Sequence, residues 1–151
     1  MVNRIETSLM PVLFEELQQE RFITVSTVDF ETGGPNVSAI SWVYAETEEK
    51  ILFAVDSRSR IVKNIKTNPL VVLNIIANES SYSICGSAEL KSERLKDVPI
   101  NLSLVSLSIS EVRDVMFYGS KISVEPQYEK TYDQEAADRL DRQVIEAMKK
   151  A

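Results

Sequence analysis

The chain contains no histidine, one cysteine (Cys85) and four methionines among its 151 residues. A single cysteine cannot form an intrachain disulfide, and these side chains cannot build an ordinary zinc or haem site within one chain. The lack of histidine also removes the commonest acid–base residue. We therefore predict no metal site, and any redox chemistry of this protein requires an organic cofactor.

Long apolar runs and an excess of positive charge are missing as well. No segment approaches the roughly 18 consecutive apolar residues of a membrane span, and residues 1–10 lack the apolar core of a signal peptide. Seventeen basic against twenty-three acidic residues give a net charge of −6, which repels polyanions. We expect a cytoplasmic protein, one domain over residues 1–151, that binds neither membranes nor nucleic acid.

Helical patterns occur near both ends of the chain. Ser8 is a candidate N-cap with Pro11 in the first turn, which predicts a helix over about 8–20. Asp133 is a candidate cap for a helix over about 133–150 with one apolar face and lysines at its end.

The middle of the chain has the pattern of antiparallel strands. We predict strands over 22–28, 36–45, 51–55, 70–77 and 82–90, two hairpins among them, and one long or two shorter strands over 102–123. The apolar run 70–77 predicts a central strand covered on both faces. Gly86 inside a strand indicates a bulge, a barrel corner or the close approach of another group. About six strands with peripheral helices predict one α+β domain built on a small barrel.

The most informative segment is Ile51–Pro69, where an apolar strand leads into a hydroxyl- and cation-rich turn and then a short helix. Free N–H groups at a helix start attract anions, and Ser57, Arg58, Ser59, Arg60 and Lys63 add donors and positive charge there. The segment therefore predicts a phosphate site. The alternative is that Ser-Arg-Ser-Arg only caps a surface helix whose cations, including Lys66, are solvated.

Several short motifs follow one another in a characteristic order and spacing over residues 9–123. They are Phe22–Val28, Gly34-Pro35-Asn36-Val37-Ser38, Ser59-Arg60-Ile61-Val62-Lys63-Asn64-Ile65, Asn68-Pro69 and Gly86-Ser87-Ala88-Glu89. In this respect the chain resembles the pyridoxamine 5′-phosphate oxidase-like FMN-binding split barrels. The resemblance implies a six-stranded antiparallel Greek-key split barrel with peripheral helices. It also implies a homodimer with FMN at the subunit interface.

The resemblance further implies which residues bind FMN. Ser59 and Arg60 would meet the phosphate, with Lys63 and Asn64 completing the pocket and Arg58 assisting or solvated. The ring and ribityl chain would lie along one strand, which contributes Ser38, Ala39, Ile40, Ser41 and Trp42. The neighbouring strand would frame them with Ala54, Val55 and Asp56. For Trp42 a core or interface role competes with flavin contact, and for Tyr82 and Ser87 cross-strand packing competes with contact from the partner chain.

The C-terminal segment separates this chain from the vitamin B6 enzymes of the group. Those enzymes resemble one another in an Arg-Leu-x-Pro segment that handles substrate, whereas Arg139-Leu140 is followed here by Asp141-Arg142. We therefore expect an FMN-dependent oxidoreductase of another kind, reduced by NADH or NADPH. The alternative is a non-catalytic sensing or stress-related module that holds flavin, another phosphorylated ligand or a tetrapyrrole, and a deazaflavin-using relative is a third reading.

Overall fold

A computed structural model describes residues 5–151, which form eight strands and three helices. In chain order the elements are β1 (Ile5–Glu6), α1 (Pro11–Glu16), β2 (Ile23–Val28), β3 (Pro35–Ile40), β4 (Val43–Ala45), β5 (Lys50–Asp56), α2 (Arg60–Thr67), β6 (Leu70–Ala77), β7 (Ser80–Ser92), β8 (Leu102–Asp114) and α3 (Gln134–Lys150). No helix within this range is long and apolar enough to cross a membrane.

The strands form one antiparallel sheet that curls into a split barrel. Their order is β3-β2-β6-β7-β8-β5-β4, and β1 pairs with β8. The end strands β3 and β4 are joined along the chain only by Ser41 and Trp42. The carbonyl oxygens of these two residues accept hydrogen bonds on opposite sides of the split. Ser41 accepts from the Arg21 N–H at 2.9 Å, and Trp42 accepts from the Ala54 N–H at 3.0 Å. The barrel is therefore split at residues 41–42.

The predicted split-barrel class is confirmed, with two more strands than expected. The predicted strand 36–45 is divided at Ser41–Trp42 into β3 and β4, and the two-residue β1 is added. Both predicted hairpins are present, because β2 pairs with β3 and β4 pairs with β5.

Two apolar clusters hold the barrel and its helices together. The barrel interior contains Phe53 of β5 and Leu13 of α1, each fully buried. A second cluster lies on the other face of β5, where Leu52 meets Val144 and Met148 of α3. β5 is therefore buried on both faces, since α3 covers its outer side, and so is the first half of β8 over 102–107. The prediction that 70–77 is covered on both faces is not met, because β6 alternates between buried and half-buried positions.

The first helix is shorter than predicted. α1 begins with Pro11, as its first-turn position predicted, but Met10 rather than Ser8 occupies the N-cap position and makes no side-chain cap bond. Two hydrogen bonds cap the end of the helix, one from a nearby side chain and one from β4. Gln18 Nε2 donates to Phe14 O at 3.1 Å, and the Ala45 N–H donates to Leu17 O at 2.8 Å.

The strand predicted over 102–123 ends at Asp114, so residues 115–133 are irregular. Asp114 Oδ1 accepts from Ser80 Oγ at 2.7 Å and from the Met116 N–H at 3.0 Å, which turns the chain away from the sheet. α3 then follows as predicted, with Asp133 Oδ2 accepting from the Ala136 N–H at 2.9 Å as its N-cap.

Gly86 lies at a register shift between β7 and β8, where the two backbones approach closely. A Cβ atom at this position would be 2.2 Å from the carbonyl oxygen of Ser108. Of the three readings of this glycine, the structure supports a bulge combined with close backbone approach.

Candidate functional site

A cleft of about 330 Å³ lies at the seam where the barrel is split. It is bounded by the β3–β4 connection, the end of β5 and the start of α2. Eight of the twelve predicted site residues line it, together with Ile61, and these eight are Ala39, Ile40, Ser41, Trp42, Ala54, Val55, Asp56 and Ser59. The fold thus brings together two sets of residues that the sequence placed on separate strands.

Ser59 occupies the N-cap position of α2 and has a hydroxyl group that the protein does not use. Its side chain makes no capping bond, and its Oγ is buried without a hydrogen-bond partner. A buried polar group without a partner costs roughly 1–3 kcal/mol, so natural proteins rarely retain one without a reason. The first N–H groups of α2 also lack intrahelical partners and carry partial positive charge. Together they form a set of donors at the edge of the cleft.

Arg60 is oriented by an aspartate that sequence reasoning missed. Arg60 Nη1 donates to Asp29 Oδ1 at 2.8 Å, and the Asp29 side chain is only 2% exposed while that of Arg60 is 61% exposed. Asp29 Oδ2 accepts from the N–H groups of Thr32 and Glu31 at 2.9 and 3.0 Å. These backbone bonds, with a further contribution from Arg60, lower the pKa of Asp29. Its place at the start of the glycine turn was the signal available in the sequence.

Asn64 lies in the interior rather than at the cleft. Its Nδ2 donates to Thr27 Oγ1 and to Asn36 Oδ1, both at 2.8 Å, and its Oδ1 accepts from the Phe30 N–H at 2.8 Å. Both amide hydrogens are therefore used. Asn64 fastens α2 to the β2–β3 hairpin, which fixes where the helix start lies.

The remaining cations and Ser38 lie outside the cleft lining. Lys63 Nζ is 5.8 Å from the centre of the Phe30 ring. Arg58 is 88% exposed at its side chain, and its Nε is 3.6 Å from Asp56 Oδ1. The Arg58 N–H donates to the same oxygen at 2.7 Å, and this bond lowers the pKa of Asp56 against the opposing effect of burial. Ser38 pairs with Val25 within the β2–β3 hairpin.

Trp42 has a partner that sequence reasoning also missed. Its Nε1 donates to Asp141 Oδ1 on α3 at 2.8 Å. The ring packs at the edge of the second apolar cluster while lining the cleft. Tyr82 is buried in the barrel core and accepts a hydrogen bond from Asn78 Nδ2 at 3.0 Å, which favours its packing role.

A second depression of about 700 Å³ runs over the outer face of β2, β6, β7 and β8. We call it the sheet groove. It includes Leu70, which is 62% exposed, and Ser87 beside Gly86. Since Pro35 at the start of β3 lines the groove and Ala39 near its end lines the cleft, one strand connects the two.

The model of the family described as pyridoxamine 5′-phosphate oxidase matches residues 9–148. The chain belongs to this family. The resemblance carried by the motifs is thereby confirmed. No curated protein matches the chain.

Solved structures of the pyridoxamine 5′-phosphate oxidase fold are similar to this one. HupZ of Group A Streptococcus superposes with a TM-score of 0.58 at 11% identity, covering 77% of this chain and 100% of that chain. An F420 reductase gives 0.55 at 15% identity, with 64% and 91% covered. HutZ, the heme storage protein from Vibrio cholerae, gives 0.53 at 17% identity, with 71% and 94% covered. At these identities the likeness shows the shared fold.

The C-terminal helix contacts the barrel through residues that follow Arg139. Leu140 packs against the second apolar cluster, and Asp141 binds the indole of Trp42. The two residues that follow Arg139 therefore contact Trp42 and the second apolar cluster.

Proposed function

We propose that this member of the pyridoxamine 5′-phosphate oxidase family binds FMN in the seam cleft and acts as an FMN-dependent oxidoreductase. The observation that carries the proposal is the buried, unpartnered hydroxyl of Ser59 at the first turn of α2, beside the cleft. A phosphate oxygen is an acceptor that would satisfy this hydroxyl and the free N–H groups of the helix start together.

The charges around the helix start fit a phosphate. Arg58 and Arg60 lie on the two sides of Ser59 in sequence, and Lys63 follows one turn later. The bond to Asp29 uses one of the five N–H donors of Arg60, so Asp29 can orient the guanidinium and leave donors for a ligand. In this proposal Asn64 supports the pocket through its bonds to the β2–β3 hairpin, and Ser38 supports it as part of β3.

The rest of the cleft fits the flat part of a flavin. Ala39, Ile40, Ala54 and Val55 give small or apolar walls, and Trp42 stands at one edge. Bound FMN would supply hydride or electron transfer, while these residues bind and orient it. NADH or NADPH is the proposed electron donor.

We further propose that the protein is a homodimer that completes the flavin site at its interface. The sheet groove supports this arrangement, because an apolar surface with an exposed Leu70 is favourable to cover. Its connection to the cleft through β3 would put a second copy near the bound ligand.

One observation favours a second candidate, a module that holds its ligand without rapid turnover. Asp56 is the one ionisable side chain among the residues lining the cleft within 5–151, and like any aspartate whose pKa is not raised it is ionised at neutral pH. It is therefore a poor proton donor, and a proton would have to come from water or the partner chain. The fold neighbours described as an F420 reductase and a heme storage protein also show that this fold serves different ligands.

The test is a fluorescence titration of the flavin-free protein with FMN, with riboflavin as the phosphate-free control and haem as competitor. We expect FMN to bind at least tenfold more tightly than riboflavin, since each lost hydrogen bond to a charged group contributes roughly 1.5–3 kcal/mol. Failure of both flavins to bind would reject the proposal. If FMN binds, anaerobic addition of NADH or NADPH separates the candidates, because only the oxidoreductase would be reduced within seconds.

A further inference from the structure

Trp42 is the only tryptophan of the chain and links the cleft to the C-terminal helix. Its indole N–H donates to Asp141 Oδ1 at 2.8 Å across 99 residues of sequence. A side chain on α3 therefore contacts a residue that lines the cleft, although α3 itself contributes no residue to the cleft lining.

Asp141 is held in place from its other side. Lys130 Nζ lies 2.8 Å from Asp141 Oδ2 and 3.0 Å from a carboxylate oxygen of Glu20. The three side chains are only 13%, 18% and 24% exposed for Asp141, Lys130 and Glu20, so solvent screens this chain of charges weakly. Burial lowers the pKa of Lys130, but its hydrogen bonds to Asp141 and Glu20 outweigh that effect and raise the pKa overall. Lys130 therefore stays charged at physiological pH.

Lys130 and Trp42, the two partners of Asp141, each have further contacts. Lys130 Nζ also lies 5.7 Å from the centre of the Tyr128 ring. Burial and then the charge of Glu20 raise the pKa of Tyr128 to about 12, so this ring stays neutral. Leu140 of α3 and Trp42 both pack against the second apolar cluster. The indole of Trp42 is thus held by packing against this cluster as well as by its bond to Asp141.

From this arrangement we infer that Asp141, fixed by Lys130 and Glu20, is a positioning residue that sets the orientation of Trp42 as a wall of the ring-binding part of the cleft. The inference rests on the proposed function, because it assigns Trp42 to the flavin ring. It differs from a simple tether of α3, which would stabilise the protein without affecting ligand affinity.

The experiment compares Asp141→Leu with Asp138→Leu, which lies three residues earlier on α3. Asp138 is exposed and bonds to Gln134 Nε2 at 2.8 Å, so its loss leaves the cleft unchanged. For Asp141→Leu we expect the dissociation constants of FMN and riboflavin to rise together by about tenfold, since the ring is common to both ligands. We also expect weaker quenching of the single tryptophan by bound flavin. Asp141→Asn keeps an acceptor oxygen and should restore both readouts to within about threefold of the parent.

The outcomes separate this inference from the proposed function. If the parent protein binds neither flavin, the proposed function fails. If the parent binds FMN but Asp141→Leu lowers only the melting temperature, with both dissociation constants and the quenching unchanged, Asp141 is a tether and the inference is overturned. Should Asp141→Leu fail to fold, Trp42→Phe removes the same hydrogen bond from the other side. Unchanged affinity for both flavins in that variant would overturn the inference equally.

Discussion

Replacing Ser59 with alanine tests whether its hydroxyl binds a ligand or caps α2. When a serine that caps a helix is replaced with alanine, the protein loses about 0.5–2 kcal/mol of stability. In this structure the Ser59 hydroxyl makes no capping bond and is buried without a partner. Its removal should therefore leave the ligand-free protein equally stable, or raise its free energy of unfolding by about 1 kcal/mol, because a desolvation penalty disappears.

The effect on ligand affinity should have the opposite sign. If the hydroxyl donates to the FMN phosphate, Ser59→Ala loses a hydrogen bond to a charged group, roughly 1.5–3 kcal/mol, which raises the dissociation constant of FMN about tenfold to a hundredfold. Riboflavin has no phosphate, so its affinity should stay the same. Urea unfolding of the flavin-free protein and flavin fluorescence titrations measure the two quantities separately.

Ser57→Ala is the matched control on the same turn. Ser57 Oγ donates to Glu93 O at 3.3 Å and accepts from Ser103 Oγ at 3.1 Å, so its hydroxyl is already used by the protein. This variant should lose some stability and keep its FMN affinity. The reasoning would be refuted if Ser59→Ala were destabilised by 1 kcal/mol or more while binding FMN as the parent does, since that is the behaviour of a cap.

Three further predictions test other parts of the structure. Arg60→Ala should weaken FMN binding about tenfold to a hundredfold, and Arg58→Ala should do less because its exposed charge is screened, as parallel titrations would show. The pKa of Asp29 is lowered on folding, so this carboxylate stabilises the protein above its unfolded pKa of about 3.9, and that stabilisation is lost as the pH falls below this value. Asp29→Asn should therefore flatten the dependence of stability on pH in this acidic range. An unaltered pH dependence would contradict the lowered pKa of Asp29. Gly86→Ala places a Cβ 2.2 Å from Ser108 O, so we expect a loss of about 3 kcal/mol and a melting temperature lower by about 6–12 °C, against no more than a small change for Gly34→Ala.

Local chemistry predicted most elements of the fold, and the errors occur where distant residues decide. The hairpins, α2 and α3 follow from patterns and caps within a few residues, such as Asp133 at the start of α3. Just after α1 the chain is bound to the distant β4, because Gln18 Nε2 donates to Ala45 O and the Ala45 N–H donates to Leu17 O. Burial of β5 on both faces depends on α3, about ninety residues later in the chain. A one-dimensional pattern does not contain such contacts.

The candidate site shows the same division between local and distant causes. The position of Ser59 was predictable because a hydroxyl next to a helix start is a sequence pattern, and the family motif placed the strands of the cleft nearby. The partners of Arg60 and Trp42 were not predictable, because Asp29 and Asp141 lie 31 and 99 residues away from them. In both cases a carboxylate accepts a hydrogen bond from the side-chain donor of a predicted site residue. The residues of the proposed site are therefore found from local sequence, whereas Arg60 and Trp42 are oriented by acids that only the closed barrel brings within reach.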